Sequence, residues 1–211
     1  AVSNEQSSNE SNLKEEKINH QYSKSFEFEE DFRWYINNYL EENVEYFSIL
    51  RPLNELQVAK IFSQMKKYHK VFRSCNIGSK ETPWKWCYNC PKCLFVFIVL
   101  SPYLYKKKLV KIFKKDLYQN KDLLNTFIEL CGYGEAKPFE CVGTPEEVNY
   151  AISKTIKQLE AEQKELPYLL NYYKENYKLV DTNTDIEKRY NEENNVPKEF
   201  EKLLKESIYE D

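Results

Sequence analysis

The stretch RSCNIGSKETPWKWCYNCPKCLFVF, from Arg73 to Phe97, holds four of the six cysteines of this chain and decides the local fold. Three of the four are spaced as Cys-x2-Cys-x2-Cys, and eleven residues separate the first cysteine from this run. Two-residue gaps let successive sulfurs turn toward one centre, so four thiolates can enclose a tetrahedral zinc ion. Such a site would fasten the long loop to a helix that starts near Pro91. The predicted ligands are Cys75, Cys87, Cys90 and Cys93.

Other interpretations of the cysteine run stay open at this point. A bacterial ferredoxin run reads C-x2-C-x2-C-x3-C-P, and here Phe97 stands at the position of its fourth cysteine. An iron–sulfur cluster would therefore need Cys75 as its last ligand. A redox pair would need a thioredoxin-like βαβ context, which the sequence does not show. Cys131 and Cys141 lie outside the set, and the common fate of such a cysteine is to be a small buried residue.

Composition excludes several classes of protein. With 211 residues, 41% of them hydrophobic and 15% aromatic, the chain can bury one sizeable core or two small ones. The formal net charge of −3 gives no positive field for nucleic acid. The longest apolar run, Leu94 to Leu100, is far shorter than the roughly 20 residues that span a bilayer. Without a secretory signal either, we expect a cytoplasmic protein with no membrane partner, a compartment in which clustered cysteines usually bind metal.

Periodicity predicts a mainly α chain with a few short strands. The strands are expected at the first apolar residues, over VEYFSIL and over VFRS. In TPEEVNYAISKTIKQLE, Thr144 and Glu147 form a capping box around Pro145, with Val148, Ala151, Ile152 and Ile156 as the buried stripe. The other predicted helices are SFEFEEDFRWYINNYL, RPLNELQVAKIFSQMKKYHK from near Pro52, PKCLFVFIVLSPYL, KKKLVKIFKKDLY, DLLNTFIELCGYG, ELPYLLNYYKENYKLV and PKEFEKLLKESIYE.

Several blocks together resemble a known family. SNEQSSNESN, INHQYSKSFEFE, YFSILRPLNELQVAKIF, SCN, WCYNCPKCLFVF and KPFECVGTPEE resemble the UDP-N-acetylmuramoyl-L-alanyl-L-glutamate epimerases, bacterial isomerases of peptidoglycan-precursor synthesis. The blocks occur in order between Ala1 and Leu159, and CPKCLFVF and KPFECVG are the most specific. The cysteine spacing is also similar to the zinc site of 7-cyano-7-deazaguanine synthase, a member of the ATP-pyrophosphatase superfamily.

The resemblance implies the C-terminal part of an α/β adenine-nucleotide-hydrolase-like (PP-loop ATP pyrophosphatase) enzyme with a four-cysteine zinc site. Residues 1–72 would be the remainder of the nucleotide-binding domain, 73–159 the metal-bearing helical region, and 160–211 a charged helical tail with a mobile linker near 181–196. The superfamily carries a Ser-Gly-Gly-x-Asp-Ser phosphate loop, which these 211 residues lack. We therefore expect either a fragment that is inactive without its N-terminal half or a partner subunit, or a divergent inactive relative.

The resemblance also implies a reaction. The family uses ATP and Mg²⁺ to invert the terminal L-Glu of UDP-MurNAc-L-Ala-L-Glu to D-Glu. Adenylation removes the carboxylate charge that makes the α-proton hard to abstract, and acid–base groups then move that proton. The rival functions are a non-catalytic zinc-stapled helical binding module and another ATP-pyrophosphatase, such as a nucleobase-modifying enzyme.

Three polar segments supply the candidate residues for this chemistry. For nucleotide or substrate contact, the N-terminal loop offers Asn4, Glu5, Ser7, Asn9 and Glu10. At the helix entrance NHQYSKS, where backbone N–H groups favour anions, the candidates are His20, Gln21, Ser23, Lys24 and Ser25. The third segment, KPFECVG, contributes Lys137, Glu140 and Cys141.

Arg51 is a further anion candidate, and Cys141, His20 and Lys24 are the candidate catalytic residues. Thiols serve as α-proton bases in cofactor-free amino-acid racemases, which favours Cys141 as the base. A plainer role stays open in each case: an ordinary polar loop, capping by Ser25, a salt bridge of Arg51, or a structural cysteine at 141.

Overall fold

The computed structural model describes residues 1–9, 19–40 and 44–209, and in these ranges the chain is mainly helical. The predicted helical class is therefore confirmed. Short 3-10 turns join the helices. The α-helices are Phe26–Tyr39 (α1), Glu55–Gln64 (α2), Pro91–Leu100 (α3), Lys106–Phe113 (α4), Leu124–Leu130 (α5), Pro145–Ala161 (α6), Tyr168–Asn176 (α7) and Lys198–Tyr209 (α8).

Strand structure in the described ranges is limited to one isolated parallel bridge between Val2 and Ser48. The Val2 amide donates to the carbonyl of Phe47 at 2.8 Å, and the Ile49 amide donates to the carbonyl of Val2 at 2.9 Å. The strand predicted over VFRS is wrong, because that segment has no strand partner among the described residues. The few predicted strands thus reduce to a single bridge, and the α/β superfamily fold stays a prediction.

Local capping sets the helix starts. The Ser25 hydroxyl accepts a hydrogen bond from the Phe28 amide at 3.1 Å and caps α1. The capping box of Thr144 and Glu147 is present at the start of α6, as predicted. Helix α2 begins later than the expected Pro52, because Asn54 and Gln57 form a reciprocal pair with each side chain accepting from the other's amide, at 3.0 and 2.9 Å.

One compact unit consists of residues 1–61 and 185–211. One apolar cluster of this unit joins α8 to the segment after the bridge. Its buried members are Leu53, Leu204 and Ile208. The expected linker near 181–196 contributes to this unit, since Ile186 is buried and its carbonyl accepts from the Asn54 amide group at 2.7 Å.

The second compact unit is residues 62–184, built around α3. Helix α3 is buried on nearly all sides, and α5 and α6 pack against it. The predicted buried stripe of α6 is confirmed, as Val148, Ala151, Ile152 and Ile156 have no exposed surface. Of the predicted tail, residues 160–211, helix α7 belongs to this unit and helix α8 to the other. The proposed domain boundaries after residues 72 and 159 stay predictions. Within the described ranges, no helix has the length and apolar character needed to cross a membrane.

Candidate metal centre and candidate ligand-binding segments

The four predicted cysteine ligands come together in the unit of residues 62–184. Their Sγ atoms all lie within 4.8 Å of one another, with 4.0 Å between Cys75 and Cys90 and 3.7 Å between Cys87 and Cys93. All four thiols are free, and these distances are far above the roughly 2.05 Å of a disulfide bond.

This spacing fits a single tetrahedral ion. Zinc–sulfur bonds of about 2.3 Å place the sulfurs of a tetrahedral site roughly 3.8 Å apart. In a four-iron cluster each thiolate binds a different iron atom, which spreads the sulfurs much further. The arrangement therefore favours one ion over a cluster.

The backbone around the cysteines aims N–H groups at the sulfurs. The sulfur of Cys75 accepts from the amides of Gly78 at 3.1 Å and Cys87 at 3.3 Å. Cys90 is the N-cap residue of α3, and its sulfur accepts from the amide of Cys93 at 3.4 Å. Such bonds orient the ligands and stabilise negative charge on sulfur.

Two tight backbone features shape the loop that carries the ligands. A side-chain Cβ at Gly78 would lie 1.7 Å from the carbonyl oxygen of Lys85 and 3.3 Å from the sulfur of Cys75, so only glycine fits. Tyr88 takes the left-handed conformation, with φ 64°, within the turn between Cys87 and Cys90. These features close the loop beside the first turn of α3.

Three of the thiols have shifted pKa values because they are buried and hydrogen-bonded to one another. The thiol of Cys93 donates to Cys90 and, as the largest influence, lowers the pKa of Cys90 to about 5. Burial is the main cause that raises the pKa of Cys87 to about 11, and the hydrogen bond to Cys90 raises the pKa of Cys93. The raised pKa values of Cys87 and Cys93 mean that both keep their protons at neutral pH unless a bound cation displaces them.

The N-terminal loop, the helix entrance and Arg51 are brought together in the unit of residues 1–61 and 185–211. The Arg51 guanidinium is fully buried and donates to the carbonyl of Glu5 at 3.0 Å and that of Lys24 at 2.6 Å. It also lies 3.2 Å from the carboxylate of Glu29. This geometry makes Arg51 the connection between the two segments, and its predicted anion contact stays a prediction.

Other candidates in this region serve the loop's own structure. The side chain of Asn4 donates to Ser48 at 3.2 Å, and that of Asn9 accepts from the Phe26 amide at 2.7 Å. The Ser7 hydroxyl is buried with no hydrogen-bond partner among the described residues. Gln21 is buried, Lys24 half-buried, and His20 and Ser23 are exposed. Glu10 lies outside the described residues.

Sequence reasoning missed two residues that organise this region. Glu29 pairs with Arg51, and the Ser8 hydroxyl accepts from Arg51 at 2.8 Å and donates to the carbonyl of Lys24 at 2.9 Å. Neither residue has a local sequence signal, because both are buried against a partner that is distant in the chain.

The KPFECVG segment contacts the cysteine loop in the unit of residues 62–184. The carboxylate of Glu140 accepts from the side chain of Asn76, in the cysteine loop, at 2.6 Å. A Cβ at Gly143 would lie 2.8 Å from the ring of Phe95, so the end of the segment packs directly on α3. Lys137 and Glu140 line a surface cleft of ≈ 790 Å³.

The two cysteines outside the metal set differ in environment. Cys131 is 2% exposed, and burial raises its pKa, as expected of a structural cysteine. Cys141 is only half-buried, in contrast to Cys131. Cys141 and the N-terminal candidates belong to different compact units.

Comparison with known proteins gives consistent matches along the chain. The profile described as MurL C-terminal domain matches residues 71–185, and that described as MurL N-terminal domain matches residues 1–49. The chain is 38% identical over 161 residues to the UDP-N-acetyl-alpha-D-muramoyl-L-alanyl-L-glutamate epimerase of Micromonospora sp., covering 74% of this chain and 36% of the relative. With the same-named protein of Xanthomonas oryzae pv. oryzae it shares 38% over 140 residues, 64% and 31% of the two chains. The chain spans about a third of the length of these relatives, and no solved structure matches it.

Proposed function

This chain belongs to the MurL epimerase family, and we propose that it forms part of an ATP-dependent isomerase that converts the terminal L-Glu of UDP-MurNAc-L-Ala-L-Glu to D-Glu. The observation that carries the proposal is the 38% identity over 161 residues to a curated epimerase of that name. The match to the C-terminal domain includes the metal centre and the KPFECVG segment.

The proposed chemistry divides between this chain and a nucleotide-binding part. ATP with Mg²⁺ would supply activation of the substrate carboxylate, and the Ser-Gly-Gly-x-Asp-Ser loop that serves this purpose in the superfamily is not among these 211 residues. We assign that loop to the rest of the MurL N-terminal domain. The N-terminal segment organised by Arg51 is proposed to contact the nucleotide.

The proton transfer is assigned to the KPFECVG segment. The thiolate of the half-buried Cys141 would remove the α-proton from one face, and an acid on the opposite face would return a proton and invert the centre. Lys137, in the cleft beside Glu140, would hold a substrate carboxylate or phosphate. Glu140 is held by Asn76, so the position of the segment depends on the cysteine loop.

The four-cysteine site is proposed to hold a structural zinc ion. Four thiolates complete the tetrahedron and leave no open position for substrate or water, which is the arrangement of structural rather than catalytic zinc. Zinc would fix the loop from Asn76 to Trp86 and, through Asn76, the KPFECVG segment.

An epimerisation assay tests the proposed reaction. The chain is combined with the nucleotide-binding part of the Micromonospora relative, given UDP-MurNAc-L-Ala-L-Glu, ATP and Mg²⁺, and the D-Glu content is measured by chiral chromatography after hydrolysis. Conversion that is lost in Cys141→Ala and kept in Cys131→Ala supports the assignment of the base. A correctly assembled, zinc-loaded complex that produces no D-Glu would favour the binding module or another ATP-pyrophosphatase instead.

A further inference from the structure

Basic residues are concentrated in one part of this chain. Residues 62–115 contain 13 of its 31 Lys and Arg residues but only one of its 34 Asp and Glu residues, although the whole chain has a net charge of −3. We infer that this part of the molecule binds the surface of an anionic lipid bilayer through helix α4 and the turn of residues 65–71. The expectation of no membrane partner rested on the short apolar runs, and a peripheral contact needs no spanning segment.

Helix α4 carries a lysine face. Its members are Lys107, Lys108, Lys111 and Lys114, and all four are exposed. At about 100° per residue, these positions fall within about 120° around the helix axis. The buried residues Leu109, Ile112 and Phe113 lie on the opposite side. Helix α4 therefore presents four positive charges to solvent in one direction.

The charges of the lysine face have no acidic partner close by. Lys106 pairs with Asp116 at 2.8 Å and Lys115 lies over the ring of Tyr88, but no ion pair of the lysine face is found within residues 1–9, 19–40 and 44–209. The first turn of α4 contains no acidic residue. Lysines in a first turn oppose the helix dipole, and lysines three or four positions apart repel each other. An anionic surface would relieve both effects.

The turn of residues 65–71 exposes apolar side chains among further lysines. Val71 is 70% exposed, Tyr68 47% and Met65 45%. His69 points inward, because it is buried and its Nε2 lies 3.0 Å from the Phe62 carbonyl oxygen. The exposed lysines of the turn are Lys66, Lys67 and Lys70. Apolar side chains next to lysines are the composition of segments that lie at a membrane interface.

A row of three aromatic rings connects this turn to α4. The ring centroids of Phe72 and Trp86 are 5.5 Å apart, and those of Trp86 and Phe113 are 4.4 Å apart. Val71 directly precedes the first ring of the row, and Lys114 directly follows the last. The turn and the C-terminal end of the lysine face therefore adjoin within the unit of residues 62–184.

This combination of groups favours a bilayer over other anions. Nucleic acid is held by phosphate contacts and by stacking on aromatic rings, and neither requires the exposed aliphatic side chains of Met65 and Val71. A small anionic ligand needs a concave site, whereas the lysine face projects from a helix into solvent. A bilayer accepts lysines at its anionic headgroups and apolar side chains just below them.

Vesicle binding tests this inference with the folded 211-residue chain, without nucleotide or substrate. The protein is sedimented with vesicles of phosphatidylcholine that contain ~30% phosphatidylglycerol, and with vesicles of phosphatidylcholine alone. We expect binding to the anionic vesicles only, and ~0.5 M salt should abolish it by screening. Lys107→Gln with Lys111→Gln should weaken binding about thirtyfold, because each lysine near an anionic surface contributes about fivefold. Met65→Ser with Val71→Ser should weaken it about tenfold.

Lys121→Gln with Lys178→Gln is the matched control. Both lysines are exposed and belong to the same compact unit, but they lie outside residues 62–115. This control should bind as the unchanged chain does. Circular dichroism checks the folding of every variant, and Lys107→Gln with Lys111→Gln should not lower Tm, because it removes repulsion within α4.

Several outcomes would overturn the inference. One is the absence of binding to the anionic vesicles at low salt. Another is equal binding by the lysine variant and its control, or by the turn variant and the unchanged chain. Displacement of the protein from the vesicles by single-stranded RNA, at equal phosphate concentration, overturns it in favour of nucleic acid. Because binding is measured without substrate, a failed epimerisation assay does not bear on it.

Discussion

The guanidinium of Arg51 lies 3.2 Å from the carboxylate of Glu29, and both side chains are almost completely buried. The pair joins the N-terminal loop, the helix entrance and the segment after the bridge in one hydrogen-bonded group. The bond is unlike the surface ion pairs of this chain, which are exposed to solvent and contribute little.

Arg51→Met is expected to lower the free energy of unfolding by about 3–5 kcal/mol, because it leaves the Glu29 carboxylate buried without its partner. Urea denaturation measures the effect. Arg51→Met combined with Glu29→Gln, which also removes the charge, should recover part of the loss, and the exposed Lys202→Met should change stability by less than about 0.5 kcal/mol. Equal losses in the single and double variants would show that the ion pair is not the cause.

Metal analysis of purified protein should find one zinc ion per chain. Cys90→Ser should lose the metal and lower Tm by about 10 °C or more, because ligand binding and local folding are linked. Cys141→Ser is the control, since it lies outside the ligand set and should keep the metal. One iron ion per chain in place of zinc would agree with a single-ion site but correct the identity of the ion. Acid-labile sulfide, which iron–sulfur clusters release, would contradict a single-ion centre.

The sequence was informative where the determinants are local. The two-residue spacing of Cys87, Cys90 and Cys93 predicted correctly that their sulfurs meet. Capping residues predicted the starts of α1 and α6. The start of α2 was misplaced because Pro52 was preferred to the Asn54–Gln57 pair.

Determinants that are distant in the chain could not be found in this way. Glu29 and Arg51 are 22 residues apart, and their burial follows from tertiary packing rather than from periodicity. The strand expected over VFRS did not appear, because a strand is defined by partners that lie elsewhere in the chain, and this segment has none among the described residues. Docking of the segment near 181–196 likewise depends on the side chains of Asn54 and Gln57, more than 100 residues earlier.

Gly78→Ala should disrupt the metal centre without removing a ligand. The added Cβ would collide with the Lys85 carbonyl, and relieving the collision must move the amide that bonds to Cys75. We expect a loss of zinc affinity of about tenfold or more, as for altered groups that orient metal ligands. Competition with a chelator measures it, and Lys80→Ala, an exposed change in the same turn, should have no effect.

Thiol labelling should distinguish the two cysteines outside the metal set. In the zinc-loaded protein at pH 8, iodoacetamide should modify the half-buried Cys141 well before Cys131. Burial raises the pKa of Cys131, so less of its reactive thiolate is present at that pH, and access is also restricted. Peptide mass spectrometry reads both sites, and Cys141→Ala should remove the fast phase. Rapid labelling of Cys131 would contradict its placement in the core.

The end of α4 offers a test of backbone conformation, because two nearby substitutions by glycine should change the free energy of unfolding in opposite directions. Lys114 is the C-cap residue with φ 63°, a left-handed conformation that costs a side-chain-bearing residue energy and glycine almost none. Lys114→Gly should therefore raise the free energy of unfolding by about 0.5–1 kcal/mol. Lys111→Gly, three residues earlier and inside the helix, should lower it by about 1 kcal/mol. Both side chains are exposed lysines, so the two variants lose the same charge and similar packing. If urea denaturation showed that both variants change the free energy of unfolding in the same direction, the left-handed assignment would be refuted.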